Sequence, residues 1–129
     1  MNRYHYKVYF PPEAEAMLEA FTEENNALPA WLFTAHAFEN LNLRGGWTAE
    51  KELMEDMKSL ELDAGSVFEY YTAYGQVIKA CYRVEWSSAK DIIMVIGRNK
   101  SVVTMYFNSA TDKHYTLNKN NYVRRPGSY

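Results

Sequence analysis

The sequence predicts an α+β protein in which N-terminal helices pack on one face of a four-stranded or larger antiparallel sheet. Three observations carry this reading. Residues 11–60 space their apolar side chains as helices do, and residues 67–108 form β-rich runs broken by short turn signals. The change between the two falls at Asp63-Ala64-Gly65. The 129 residues fit one domain, with a helical part over about 1–63 and a sheet part over about 64–123.

Tyr4 to Phe10 alternates aromatic and polar residues and reads as a short strand ended by Pro11-Pro12. Glu13 and Glu15 then sit where a helix N-terminus favours negative charge. Ala14, Met17, Leu18, Phe21 and Leu28 form an apolar stripe with Glu15, Glu19 and Glu23 opposite, an amphipathic helix punctuated by Asn25-Asn26 and Pro29. A second helix is expected from Ala30 to about Leu43, closed by Gly45-Gly46 and apolar nearly all round except for His36, Asn40 and Arg44. Thr48 is placed to cap a third, Ala49 to Leu60. Val67–Tyr74, Val77–Trp86, Asp91–Ile96 and Val102–Asn108 follow as strands, and their short connections predict an antiparallel meander. The tail from Tyr122 to Tyr129 reads as frayed or ligand-dependent.

Composition bounds the function. Apolar residues at 47% and charged residues at 23% describe an ordered globular chain. One cysteine excludes an internal disulfide, and no Cys/His spacing suggests zinc, so neither metal nor cofactor is expected. The opening MNRYHYKVYFPPE has no long apolar core or small-residue cleavage site, so no signal peptide is expected. No apolar run approaches a membrane span, and a cytoplasmic site of action follows as the expectation. The net charge of −2 hides an asymmetry: residues 1–63 balance at −7 and residues 64–129 at +5. A basic half suits an anionic ligand, while an acidic half suits solvated helix backs.

Alternation along the strands sharpens this. The sets Ile78, Ala80, Tyr82, Val84, Trp86 and Val103, Met105, Phe107 are apolar and should meet the helices. Lys79, Arg83, Thr104, Tyr106 and Asn108 are left on the opposite face, two cations with hydrogen-bonding groups suited to phosphate oxygens. The alternative is an ordinary solvated face on which Lys79 and Arg83 pair across strands with Glu69 or Glu85. Just beyond comes Ser109-Ala110-Thr111-Asp112-Lys113-His114-Tyr115-Thr116-Leu117, where His114 has the chemistry of a general acid or base near neutral pH. A loop histidine is also commonly just exposed.

The stretch Val103-Thr104-Met105-Tyr106-Phe107-Asn108-Ser109, then Asp112-Lys113-His114-Tyr115-Thr116-Leu117 and Tyr122, resembles the C-terminal signature of small bacterial ribonuclease toxin domains of the barnase–EndoU–colicin–RelE group. Upstream, Thr34-Ala35-His36-Ala37-Phe38-Glu39-Asn40-Leu41-Asn42-Leu43-Arg44-Gly45 is similar to the H-A-x-E-R-x-x-x-R-G helix of RelE-neighbouring domains. Asn40 stands where that helix carries its first arginine, and the chain is mildly acidic where free toxins are often basic.

The resemblance implies metal-independent endoribonuclease activity on RNA, with tRNA one possible target class, and a cognate immunity or antitoxin protein as partner. It implies that the ribose 2′-hydroxyl attacks the adjacent phosphorus, leaving a 2′,3′-cyclic phosphate and a 5′-hydroxyl. His114 fits one proton-transfer role and His36 the second; Lys79 and Arg83 fit charge stabilisation. Thr104, Asn108 and Thr116 fit orientation of phosphate or the 2′-hydroxyl, Lys113 fits substrate binding, and Tyr106 and Tyr122 fit base stacking. The competing expectation is a non-catalytic nucleic-acid-binding or inhibitory protein, an immunity or anti-defence factor whose acidic helical half mimics nucleic acid toward a basic partner.

Overall fold

The computed structural model describes residues 10–37, 55, 57–109, 111, 123 and 124. One helix, α1 (Pro12–Asn26), precedes strands β1 (Leu32–Phe33), β2 (Val67–Ala73), β3 (Gln76–Glu85), β4 (Lys90–Gly97), β5 (Ser101–Ser109) and β6 (Val123–Arg124). The strands form one sheet in the order β1-β5-β4-β3-β2-β6. The expected antiparallel meander is its centre, β2 to β5 in sequence order. The sheet as a whole is mixed, because β1 joins β5 in parallel.

α1 forms where the stripe and the acidic first turn predict it. Pro12 occupies its first turn, and the Glu15 carboxylate accepts from the Phe10 N–H at 2.8 Å. Its buried face is Ala14, Leu18, Phe21, Thr22 and Asn25. Ala14, Leu18 and Phe21 share one core with Val67, Tyr70, Ala80, Tyr82, Val84, Ile92, Met94, Ile96, Val102 and Met105, so the helix lies on one sheet face. Leu28, expected in the stripe, falls beyond the helix end and is exposed.

Polar stitches fix that seat. The Thr22 and Tyr82 hydroxyls are hydrogen-bonded at 2.8 Å beneath the helix. The Asn26 amide donates to Leu62 O at 2.8 Å and accepts from Leu62 N–H at 2.9 Å, so the side chain pairs like a backbone unit. Trp31 is buried and donates its indole N–H to Met57 O at 3.1 Å.

Three expectations change. The second helix does not begin at Ala30: Leu32 and Phe33 are extended against Ser101 and Val102, and helix starts only at Ala35. The strand wins because Thr34 N–H bonds Val102 O and the Thr34 hydroxyl bonds Val103 O, satisfying polar groups that a helix start would leave open. Thr34 Oγ1 also accepts from Ala37 N–H at 3.2 Å and so caps the new helix start. In the tail, Val123 and Arg124 are an edge strand paired with Tyr70 and Glu69 rather than frayed, and the rest of Tyr122 to Tyr129 lies outside the described residues. A shift in register between Val95 and Ile96 puts Val102, rather than Val103, in the helix-side core. The strand expected over residues 4–10 lies outside the described residues except for Phe10, as does most of the third helix, of which Glu55 and Met57 are helical.

Turn chemistry closes the hairpins. Tyr74 and Gly75 form a two-residue turn with φ of 54° and 74°, the left-handed pair that such a hairpin requires. Asn99 and Lys100 repeat this conformation between β4 and β5, without a glycine.

Candidate functional site at the end of the sheet

The face of the sheet away from α1 is not an open polar surface. A bulge at Phe68 turns that side chain onto this face, where it packs with Cys81 and Ile93, all three buried, and with Val95 and Tyr106 at the margin. Glu69 is also fully buried. Burial pushes the Cys81 thiol well above its ordinary range; the Glu69 charge adds to this and the Lys79 charge opposes it.

Arg83 stands at this face with its guanidinium engaged rather than exposed. Nε donates to Asp91 Oδ2 at 2.9 Å, with the two side chains 6% and 0% exposed, and Nη2 donates to Ser109 O at 3.2 Å. The Asn108 amide donates to the same Ser109 carbonyl at 3.2 Å. Beyond it, Ser109 Oγ lies 3.0 Å from Thr111 Oγ1 and accepts from Thr111 N–H at 3.4 Å. The ion pair Arg83–Asp91 thus braces the end of β5. Asp91 is a partner that the sequence reading did not name. The pairing was readable in principle: a short Ser87–Lys90 connection opposes Glu85 with Asp91, which places Asp91 diagonally from Arg83.

The register shows which predicted residues meet. Arg83, Ile93 and Tyr106 lie in one row across β3, β4 and β5, and Asp91 faces Asn108 in the next. Thr104 opposes Val95 on the same face. Arg83, Thr104, Tyr106 and Asn108 are therefore co-facial, as alternation predicts. Tyr106 is half-buried and packs on the small core.

Lys79 shares the face but opposes Gly97, four residues along β3 from Arg83, a separation of about 13 Å. It is half-buried. His36 is exposed in the helical turn after β1. The strand that precedes it, β1, is separated from β3, which carries Lys79, by β5 and β4, three strand spacings or about 14 Å. The two cations are not brought together. Lys113, His114, Thr116 and Tyr122 lie outside the described residues.

A second feature is a cleft between α1 and the segment before β2. Glu15, Glu19 and Glu23 line one side and Glu61 and Asp63 the other, with Thr22, Asn26 and Leu62 between them. Its lining includes no lysine or arginine among the described residues. Among the described residues, no group of three or more His, Cys, Asp and Glu side chains could hold a metal ion, and no helix is long and apolar enough to cross a membrane.

Fold and site together define a small α+β protein with a polar constellation at one end of its sheet. Protein-family models, curated proteins and solved structures give no match to the chain.

Proposed function

We propose that the chain is a metal-independent endoribonuclease of the toxin type, acting on RNA in the cytoplasm and held in check by a cognate immunity or antitoxin protein. The observation that carries this reading is the co-facial set Arg83, Thr104, Tyr106 and Asn108, anchored at Ser109, from which the chain runs directly on to Lys113 and His114. One base removes the 2′-hydroxyl proton, the oxygen attacks phosphorus, and an acid protonates the departing 5′ oxygen. His114 supplies one of these transfers and His36 the other. Thr104, Asn108 and Thr116 orient the phosphate, and Lys79 and Lys113 offset its charge. Arg83 braces the strand end that leads to His114, since two of its donors are committed to Asp91 and Ser109. Tyr122 is the remaining stacking group. The test is incubation with total tRNA in excess EDTA, followed by end-group analysis. New 2′,3′-cyclic phosphate and 5′-hydroxyl ends are expected; intact RNA sinks the reading.

A second reading rests on the acidic cleft. Five carboxylates on one concave surface suit a non-catalytic inhibitor that presents negative charge to a basic, nucleic-acid-binding partner. It predicts intact RNA in the same assay. It also predicts loss of partner inhibition on Glu19→Lys, Glu23→Lys double substitution.

A further inference from the structure

At the Glu85–Lys90–Ser109 end of the sheet, one row of side chains is built on the face that carries α1. Trp86 follows β3, and its N–H donates to Lys90 O at 3.2 Å; Lys90 in turn is paired with Ser109. Alternate strand residues share a face. Trp86 therefore continues the Ala80, Tyr82, Val84 set, Lys90 the Ile92, Met94 set, and Ser109 the Met105, Phe107 set. An aromatic ring, a cation and a hydroxyl stand side by side.

This row is set up to meet a ligand. Trp86 is 38% exposed, whereas Trp31 keeps only 6% of its surface. Its ring is held edge-on to Phe107 at 6.1 Å and 66°, so an exposed surface is presented without a freely rotating side chain. The turn beneath it is closed by Ser87 N–H to Lys90 O at 2.9 Å and Lys90 N–H to Ser87 Oγ at 3.1 Å. Ser87, Ser88 and Lys90 are exposed. The neighbouring carboxylates, Glu85 and Asp91, belong to the opposite face, and Asp91 is matched by Arg83. An exposed, braced indole beside a cation fits the alternation of flat base and charged phosphate along an unpaired strand.

We propose that Trp86, Lys90 and Ser109 form a subsite for single-stranded RNA, with a base stacked on Trp86 and an adjacent phosphate on Lys90. The identity of the ligand rests on the ribonuclease reading. The row and the Arg83–Asn108–Ser109 cluster share one end of the sheet, so a strand crossing that end would reach both.

The experiment uses the full chain and a fluorescein-labelled 2′-O-methyl oligoribonucleotide, which lacks the nucleophile and is not cleaved. Its abasic analogue and its blunt duplex are measured beside it. The wild type is expected to bind the single strand roughly tenfold or more tighter than either control. Trp86→Ala should lose a similar factor, and Trp86→Phe should retain most of the affinity. Lys90→Ala should flatten the dependence of log K on log salt by about 0.7. Tyr74→Ala, at a fully exposed ring on the opposite end of β3, should bind as the wild type does. Equal affinity for the abasic strand, which needs no variant to fold, overturns the proposal; so does unchanged binding by Trp86→Ala, or no binding at all. Trp86-dependent binding without cleavage of natural RNA would keep the subsite and remove the enzyme. Cleavage with Trp86→Ala unimpaired in binding would do the reverse.

Discussion

The side-chain carbonyl of Asn25 accepts the backbone N–H of Lys100 at 2.6 Å, joining the last turn of α1 to the turn between β4 and β5. Lys100 sits in the left-handed region at φ 57° and is buried, a conformation that costs a non-glycine residue free energy. Three contacts hold it there. Besides the Asn25 bond, its Nζ donates to Leu28 O at 3.0 Å and lies 4.6 Å from the centre of the Trp31 ring. The Asn25 amide meanwhile donates to Phe21 O at 2.9 Å, so both ends of the side chain are used.

Asn25→Ala should therefore strand a buried N–H and destabilise the fold by about 1–3 kcal/mol. A urea unfolding curve reads this as a lower midpoint at unchanged slope. Asn25→Asp keeps the acceptor but buries a carboxylate against Phe21 O at the helix C-terminus, so its loss should be at least as large. Equal stability of all three proteins would show that the contact is incidental.

The Arg83–Asp91 pair predicts strongly non-additive mutations. Either partner truncated alone leaves a buried charge without its counter-ion, at about 3–5 kcal/mol. Replacing both by apolar residues, Arg83→Met with Asp91→Leu, removes the problem along with the pair and should recover most of that loss. A double-mutant cycle by urea unfolding measures the coupling. Additive losses would mean that the two charges do not depend on each other.

How far the sequence carried depends on which kind of signal a segment holds. Period-two alternation located Ala80, Tyr82 and Val84 on the helix side, because strand geometry leaves no choice once one face is buried. The co-facial placement of Arg83, Thr104, Tyr106 and Asn108 followed from the same rule. What alternation cannot reveal is whether the second face is also covered. Phe68, displaced by a bulge, joins Cys81 and Ile93 to make it partly apolar, and a bulge has no periodic signature. Leu32–Phe33 defeated the reading for another reason. An apolar run there satisfies helix and strand patterns alike, and its pairing with β5 is a tertiary effect. Arg83 looked like a phosphate ligand because a cation on a face reads the same whether it meets solvent or a diagonal carboxylate. Trp86 reads with the apolar set that meets the helix, yet as the last of that set it is 38% exposed, and Lys90 reads as part of a turn.

Alkaline pH should weaken the protein in two stages. Burial raises the Cys81 thiol above its ordinary value of 9.0, with Glu69 adding to the effect and Lys79 opposing it. Burial likewise raises the Tyr82 phenol above 10.0; its hydrogen bond with Thr22 opposes this, while Cys81 and Asp63 add to it. Folded values raised above unfolded ones mean that the unfolded chain ionises first. The stability contribution is intact below the unfolded value and is lost as pH rises toward the folded one. From about pH 9, stability should fall by up to about 1.4 kcal/mol per pH unit for the thiol, and more steeply above about pH 10 as the phenol joins. Cys81→Ala should delay the onset to about pH 10. An onset that does not move in that variant would assign the first stage to other groups.

The deciding measurement for function concerns the two histidines. The reaction needs one group to accept a proton and another to donate one, so a bell-shaped pH–rate profile is expected for the wild type in excess EDTA. His114→Ala should reduce cleavage of labelled RNA by about 10²–10⁴ and remove one limb of the bell. His36 is exposed, so His36→Ala opens no core cavity. It should leave thermal stability equal to the wild type while removing the other limb. If His36→Ala changes neither rate nor profile, the second proton-transfer group is elsewhere. If the wild type cleaves no RNA, the chemistry assigned to His114 has no reaction to serve. The acidic cleft beside α1 then becomes the surface on which function must be sought.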